Sequence, residues 1–472
     1  MPLILPGNVA TALGGDYEVA NSCRFNDDDS AQLAITPSSD GSAEKWTLSF
    51  WMKMGGLATD QRTVRAYAVS SGGSRSAIYF DASDQFSVGF NPSGSSWTTC
   101  TLQDGSTNMR FRDPGAWIHF VVACDTTQGT AANRLKGYVN GVQKTFDAYP
   151  AEDMDTMYNK SGRAQYIGWR GYTTGYLDDY LAEVYWIDGT QYAASDFGEY
   201  DEDSPRIWKP KDSSGLTFGT NGYYLDFEDS SALGNDAAGS NNLTVTNLAA
   251  IDQMTDTPTN NFATLNPLEP SPNALTFTEG NLVAQGSGGN GGRFIGGTFA
   301  LGSGKWWCEV KVTVSGSYPI VGIIDSTSSL KMNSAYFVDS DSGTNQSGFA
   351  VFSNSDVYHN GDDNFGDFGV TYTTGDIISV GLNMDASPPT ITFQKNGGDE
   401  ETFDTEAPNS GLYTFPAIGA YFPAAIAEVN FGNSPFTISS GNADENGYGS
   451  FEYAPKSGYY SCCTKNLAEF GG

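Results

Sequence analysis

From about residue 20 to 210, and again from about 276 to 437, apolar and polar residues alternate with period two, and turn residues cut the runs every eight to twelve positions. Period two sends successive side chains to opposite faces of an extended chain, so each run is a half-buried strand and each Gly, Pro, Asn, Asp or Ser cluster a turn. Chains patterned this way close into antiparallel sandwiches. No stretch carries the period of a long helix, and no heptad run encodes a coiled-coil stalk. The sequence therefore predicts an all-β protein built from two sandwiches.

In the first block the clearest strands are Trp46–Met52, Ser76–Phe80, Gln85–Phe90, residues 116–124, Gln165–Trp169 and Leu181–Ile187. A hairpin is expected at Lys136–Lys144, where Asn140-Gly141 suits the positive φ angles of a tight turn. The second block offers Lys305–Val312, Ile320–Ile324, Gly348–Phe352, Ile377–Leu382, Ile391–Lys395 with Asn396-Gly397 as its turn, Tyr413–Gly419 and Ala427–Gly432. The organisation expected is an N-terminal arm over 1–20, a sandwich over 21–210, a partly ordered connector over 211–275, a second sandwich over 276–437, and a polar, Gly-rich tail over 438–472. The connector is rich in Asn, Thr, Asp, Ser and Pro, although Tyr223–Phe227 could pair as a strand. The tail carries an aromatic patch at Phe451, Tyr453, Tyr459 and Tyr460.

Composition narrows the function. Asp and Glu number 55 against 24 Lys and Arg, a formal net charge of −31. Binding nucleic acid or anionic lipid requires a basic face to neutralise phosphates, so neither partner is expected. With 25 Tyr, 28 Phe and 9 Trp the chain is too aromatic to be disordered, and its 56 Gly suit many short strands joined by turns. No run of 18 apolar residues is present, and Met1–Gly7 lacks a basic segment followed by an apolar stretch. Neither a membrane helix nor a signal peptide is expected, and synthesis in a cytosol is. Cys23, Cys100, Cys124, Cys308, Cys462 and Cys463 form no CxxC and are expected buried or reduced. Only His119 and His359 are present, which removes most His-dependent metal and acid–base chemistry. His119 is expected in a strand and His359 in a polar loop.

Family resemblance adds to this reading. Trp46–Lys53, Ala116-Trp117-Ile118-His119-Phe120, Gly137-Tyr138-Val139-Asn140-Gly141 and Leu177–Val184 resemble, in order, four motifs of the concanavalin A-like laminin-G jelly roll. The second block resembles a SPRY domain through Gly304–Val310, Val321–Asp325, Gly375–Gly381, Phe393–Gly397, Tyr413–Ala417 and Val429–Gly432. The pairing is similar to virion proteins of tailed bacteriophages, which share stretches like Met1–Pro6, Arg24–Ser39, Tyr180–Glu199 and Asn247–Pro267. That resemblance implies a place on a phage particle, assembled in the host cytoplasm, with the apolar arm Met1–Gly7 docking on other virion proteins. By analogy with phage fibres it implies a homo-oligomer, a trimer.

Candidate sites follow. Glycan recognition combines aromatic faces with polar groups, and Trp169–Tyr176 supplies Trp169, Tyr172 and Tyr176 on a loop. In the SPRY block the inter-strand loops Ser326–Ser334 and Asn354–Phe368 correspond to the family's recognition surface, with Tyr358 and His359 as contacts. Calcium takes six to eight oxygens; acidic loops hold Asp27-Asp28-Asp29, Asp153 and Asp155, Asp178 and Asp179, and Asp362-Asp363. Asp178-Asp179 has the strongest claim, because laminin-G-like jelly rolls often place calcium at one rim. Hydrolytic relatives of the jelly roll carry Glu-x-Asp-x-x-Glu on one strand, so that the carboxylates share a face. Glu152-Asp153-Met154-Asp155 approaches that motif but lacks the third carboxylate. Gln285–Gly292 is Gly-rich yet lacks the Lys-Ser/Thr of a phosphate loop. The expectation is a non-catalytic virion surface protein, a tail fibre or appendage binding a host-surface glycan or protein. The alternatives are a capsid or tail cement protein and a polysaccharide depolymerase.

Overall fold

The computed structural model describes residues 17–58, 62–68, 73–94, 96–172, 174–202, 204–269, 274–287, 293–313, 319–325, 348–359, 362–405, 412–420 and 425–471. The chain divides into two compact units between Thr259 and Asn260. The arm Met1–Gly7 and the loop Ser326–Ser334 lie outside the described residues.

In the first unit one series of antiparallel strands runs Gln253–Met254, Ser22–Arg24, Asp179–Asp188, Lys45–Met54, Trp117–Asp125, Leu135–Val139 and Val142–Phe146. The other runs Thr244–Thr246, Gln32–Ile35, Gln165–Ile167, Arg62–Ala68, Arg75–Phe80, Phe86–Asn91 and Thr98–Asp104. The two join where Phe146 pairs with Leu102. Trp46, Leu48, Phe50 and Met52 enter the core at alternate positions. Phe120 meets Phe86 of the opposing series with ring centres 5.0 Å apart. Burying each such side chain contributes about 1.5–3 kcal/mol. Asn140 and Gly141 take φ of 45° and 78° and join Val139 to Val142, the mirror-image turn that the twist of a hairpin favours.

The intervening Thr47, Ser49, Trp51 and Lys53 point the other way and are buried too. Residues 190–256 fold over that face. Thr47 donates to the Thr190 carbonyl at 2.8 Å, Trp51 packs with Met254, and Lys53 meets Asp256 at 2.6 Å. The stretch 211–275 is thus not one connector. Tyr223–Leu225, Thr244–Thr246 and Gln253–Met254 each join the first sandwich, whereas Ala263 and Leu265 belong to the core of the second unit. Its strands are three residues or fewer, too short to display alternation, and Tyr223, Leu225, Leu233 and Leu243 still reach the core.

The second unit stacks two sheets. One runs Leu275–Thr278, Val283–Gly286, Ile426–Asn430, Lys305–Val312, Ile377–Asn383, Thr390–Lys395 and Glu400–Asp404. The other runs Arg293–Gly296, Tyr413–Ala420, Ile320–Asp325, Gly348–Phe352, Asp356–His359 and Asp362–Asp367. Trp306, Cys308 and Val310 share the core between them with Phe349, Val351 and Phe415.

Residues 438–471, expected as a tail, are part of this sandwich. Tyr460–Ser461 pairs parallel with Lys305–Val312, and Thr464–Phe470 is a short helix. Phe451 and Tyr459 cover Trp307. The buried Glu309 carboxylate accepts the backbone N–H of Glu452 at 3.0 Å and of Tyr453 at 2.7 Å, and the Asn430 amide at 3.0 Å. Ending the chain at residue 437 would expose Trp307 and strip Glu309 of two donors. A loss of more than about 3 kcal/mol is expected for the second unit, read as a lowered melting transition with new binding of a hydrophobic dye. An unchanged melt would refute the packing described. All six cysteines are free thiols and buried.

Candidate binding site

The second strand series of the first unit turns a row of small residues away from the core. Ala66 pairs with Ala77 and Ala77 with Gly89, and Ala66, Ala77 and Tyr79 cluster there apart from the main core. The half-buried Trp97, just before the strand Thr98–Asp104, lays its indole on this row. Gly89 makes that possible, because a Cβ there would overlap the ring.

A second element comes from the loop after Gln165–Ile167. Trp169 and Tyr176 pair across an isolated bridge and stack at 5.7 Å. Gly171 and Gly175, with φ of 88° and 96°, turn the chain between them. The turn projects Arg170 and Tyr172 towards Trp97. Tyr67, Arg75, Ala77, Trp97, Arg170 and Tyr172 line the resulting depression, which holds about 90 Å³.

Its electrostatics are set by guanidinium groups on aromatic faces. Arg75 Nη1 donates to Tyr172 Oη, and the Arg75 guanidinium carbon lies 4.5 Å from the Trp97 ring centre and 5.7 Å from that of Tyr172. Arg170 stands 5.0 Å from the Tyr172 ring centre and donates through Nε to the Tyr172 carbonyl at 3.2 Å. Arg163 Nη1 donates to Tyr67 Oη at 3.2 Å, its guanidinium 5.4 Å from that ring centre. Of these residues the sequence reading found Tyr172 alone. The detectable signal for Arg75 is a base at an outward position of Arg75-Ser76-Ala77-Ile78-Tyr79-Phe80, in a chain poor in bases.

Trp169 and Tyr176 are half-buried in mutual stacking and hold the loop in place. Tyr358 and His359 lie on a strand, not a loop, because Val357 enters the core and draws Asp356–His359 into the sheet. His359 is buried beside Phe349 at 5.4 Å, and Tyr358 packs on Phe352 at 4.1 Å. Within 354–368, Asp356–His359 and Asp362–Asp367 pair as two antiparallel strands. His119 is buried between Trp51 and Trp208, accepts Trp208 Nε1–H on Nδ1 at 2.9 Å, and has its pKa pushed down to about 3 by burial. A second, shallower depression of about 350 Å³ lies by Tyr138, Tyr200 and that same Trp208.

The carboxylates do not gather. Asp153 is exposed, Asp155 pairs with Lys160 at 2.7 Å, and Glu152 pairs with Arg134 at 3.4 Å. Asp179 accepts Arg62 Nη1 at 2.6 Å and the Gly55 N–H at 2.9 Å. Burial, then the charges of Asp179 and Asp27, pushes the pKa of Asp178 well above the usual carboxylate range. Among the described residues no three His, Cys, Asp or Glu side chains converge as a metal site. With Asp179 committed to Arg62, the Asp178-Asp179 pair falls short of the six to eight oxygens calcium takes. These residues do not fit the ion.

Residues 26–189 match the family model of the concanavalin A-like lectin/glucanases superfamily, laminin-G type. No curated protein matches the chain. Solved structures include the SPRY domain of human HERC1, 18% identical over 35% of this chain and 96% of that one, with a TM-score of 0.29. A Bacteroides ovatus protein assigned as carbohydrate binding is 15% identical over 49% of this chain and 59% of its own, with a TM-score of 0.33. Domains LG4-5 of the mouse laminin α1 chain are 9% identical over 97% and 100%, with a TM-score of 0.30. The fold class is all-β: two β-sandwiches in succession, the first matched by the concanavalin A-like, laminin-G-type model.

Gly89→Ala tests how the depression is built. The added methyl displaces Trp97, so its fluorescence should shift to the red while the unit keeps its melting temperature within a few degrees, since the change lies outside the main core. An unshifted spectrum would show that Trp97 does not rest on this face.

Proposed function

We propose that this chain is a non-catalytic glycan-binding protein of a tailed-phage particle, a tail fibre or other appendage that contacts the host envelope. The observation that carries the binding reading is the depression between Tyr67, Trp97 and Tyr172, where aromatic faces that stack on sugar C–H groups stand beside hydrogen-bond donors. It is favoured over the larger depression at Tyr138, Tyr200 and Trp208, whose indole N–H is already committed to His119. Support for the particle is the run of virion-like stretches through Arg24–Ser39, Tyr180–Glu199 and Asn247–Pro267. On this reading the arm over 1–20 docks on other virion proteins, and repeated copies, as in a homotrimer, raise weak single-site affinity through effective concentration. No nucleic acid, membrane insertion or cofactor is invoked, and binding is expected to persist in a chelator.

The full chain, applied to host cells and to an array of host-envelope glycans, is expected to bind, and Trp97→Ala to reduce that binding at least tenfold, the loss of about 1.4 kcal/mol of stacking. Absence of binding to cells and glycans would favour the cement reading. Release of reducing ends from host polysaccharide, lost on replacing Glu152 and Asp155, would favour the depolymerase.

A further inference from the structure

We infer that the Tyr67–Trp97–Tyr172 depression selects sugars bearing an anionic group, with a carboxylate or sulfate seated between Arg75 and Arg170. The inference rests on the glycan-binding reading and names the class of sugar. Its basis is a cluster of guanidinium groups in an acidic chain. Carboxylates outnumber bases 55 to 24, and Arg24 meets Asp252, Arg62 meets Asp84 and Asp179, and Arg134 meets Glu152, while the fully buried Arg65 is held inside the core by Tyr223, Gln165 and the Trp186 ring. Around the depression three guanidinium groups stand on three aromatic rings, and neither Arg75 nor Arg163 forms an ion pair with a described residue.

The donors of Arg75 are also underused. A guanidinium carries five N–H donors in a planar fork. Arg75 places one on Tyr172 Oη, and its Nε is buried with no acceptor among the described residues. A guanidinium backed by an indole is weakly hydrated and held in one plane, which suits a planar or tetrahedral oxyanion better than a hydroxyl. The depression between Arg75, Arg170 and Tyr172 has room for a carboxylate or sulfate group, and the sugar ring would rest against Trp97. Arg163, on the Tyr67 ring, adds to the local positive field in an otherwise repelling protein.

The test is affinity electrophoresis of the full chain through polygalacturonate, its methyl ester, dextran sulfate and dextran. At least one charged polymer should retard it about tenfold more strongly than its neutral counterpart, and retardation should fall as NaCl rises from about 50 to about 500 mM. Polygalacturonate alone would identify a carboxylate ligand, dextran sulfate a sulfate. Arg75→Gln should abolish the preference and leave weak neutral binding in place, whereas Trp97→Ala should weaken both. Equal retardation by charged and neutral polymers, or an Arg75→Gln variant indistinguishable from the parent, would overturn the inference while leaving glycan binding intact. No retardation by any polymer, together with no glycan binding on the array, would overturn both.

Discussion

Lys53→Ala is expected to destabilise the first unit by about 3–5 kcal/mol, the cost of leaving one member of a buried ion pair alone. Lys53 Nζ lies 2.6 Å from Asp256 Oδ2, and neither side chain has any exposure. The second Asp256 oxygen accepts the Trp117 indole N–H at 2.8 Å. Burial lowers the pKa of Lys53, and the Asp256 charge and hydrogen bond, with the Asp113 charge, oppose that. Removing the ammonium strands an anion under Trp51 and Trp117 and frees the segment that carries Asp256. Residues 253–259 should then become the first site of proteolysis. The double variant Lys53→Met, Asp256→Asn keeps an oxygen for Trp117 and removes both charges. It should recover most of the loss, giving strong non-additivity in urea denaturation. A single-variant loss below about 1 kcal/mol, the value of a surface pair, would refute the burial of this pair.

The same contact shows where sequence reading stops. The strand Lys45–Met54 is legible because Trp46, Leu48, Phe50 and Met52 alternate with polar residues, and alternation is a local property. Its second face is not legible. Thr47, Ser49 and Lys53 look solvent-facing by pattern, yet hydrogen bonds and one ion pair bury them under residues 190–256. Such partners leave no period in the chain: Lys53 and Asp256 are 203 positions apart. The tail misleads for a related reason: Phe451 and Tyr459 stand out as an aromatic patch, but nothing local in a Gly-rich segment shows that they pack on Trp307, about 150 residues earlier. The site divides the same way. The loop Trp169–Tyr176 announces itself by aromatic content, so Tyr172 is found. Arg75 meets it from 97 residues away, and Trp97 reaches the face only because Gly89 lacks a side chain. Conversely, His359 looks polar and loop-bound by composition, but the single core residue Val357 pulls it into the sheet.

Stability should peak near pH 4 and fall as the pH rises towards 8, the reverse of what salt-bridged carboxylates alone would produce. Three buried carboxyl groups have pKa values pushed up to about 7: Asp179, Glu183 and Glu309. Burial is the main cause in each. Arg62 opposes it at Asp179, the hydroxyls of Tyr185, Tyr224 and Tyr17 at Glu183, and backbone N–H groups at Glu309. Between the ordinary carboxylate range and pH 7 the folded chain binds more protons at these groups than the unfolded chain does. The penalty is therefore absent below about pH 4, grows through neutrality and is complete above pH 7, at about 3 kcal/mol per fully ionised group. On the acid side the trend reverses. At Asp125 burial is outweighed by hydrogen bonds from Thr127 and Gln128 and by Lys45, at Asp376 by Thr373, Asn396 and Lys395, and both pKa values are lowered. That stabilisation is lost as these groups protonate. The two units allow the contributions to be separated in a melt, since Glu183 belongs to the first and Glu309 to the second. Glu183→Gln keeps one acceptor oxygen, replaces the other with an NH2 donor to which the Tyr17 or Tyr224 hydroxyl, now bonded at 3.0 and 2.7 Å, can turn its oxygen, and removes the titration. It should raise the stability of the first unit at pH 8 by up to about 3 kcal/mol and make its profile between pH 5 and 8 shallower, Asp179 still titrating there, leaving the second unit unchanged. A parent protein more stable at pH 8 than at pH 5, or a Glu183→Gln variant with an unaltered profile, would show that these carboxylates are solvated in the folded chain.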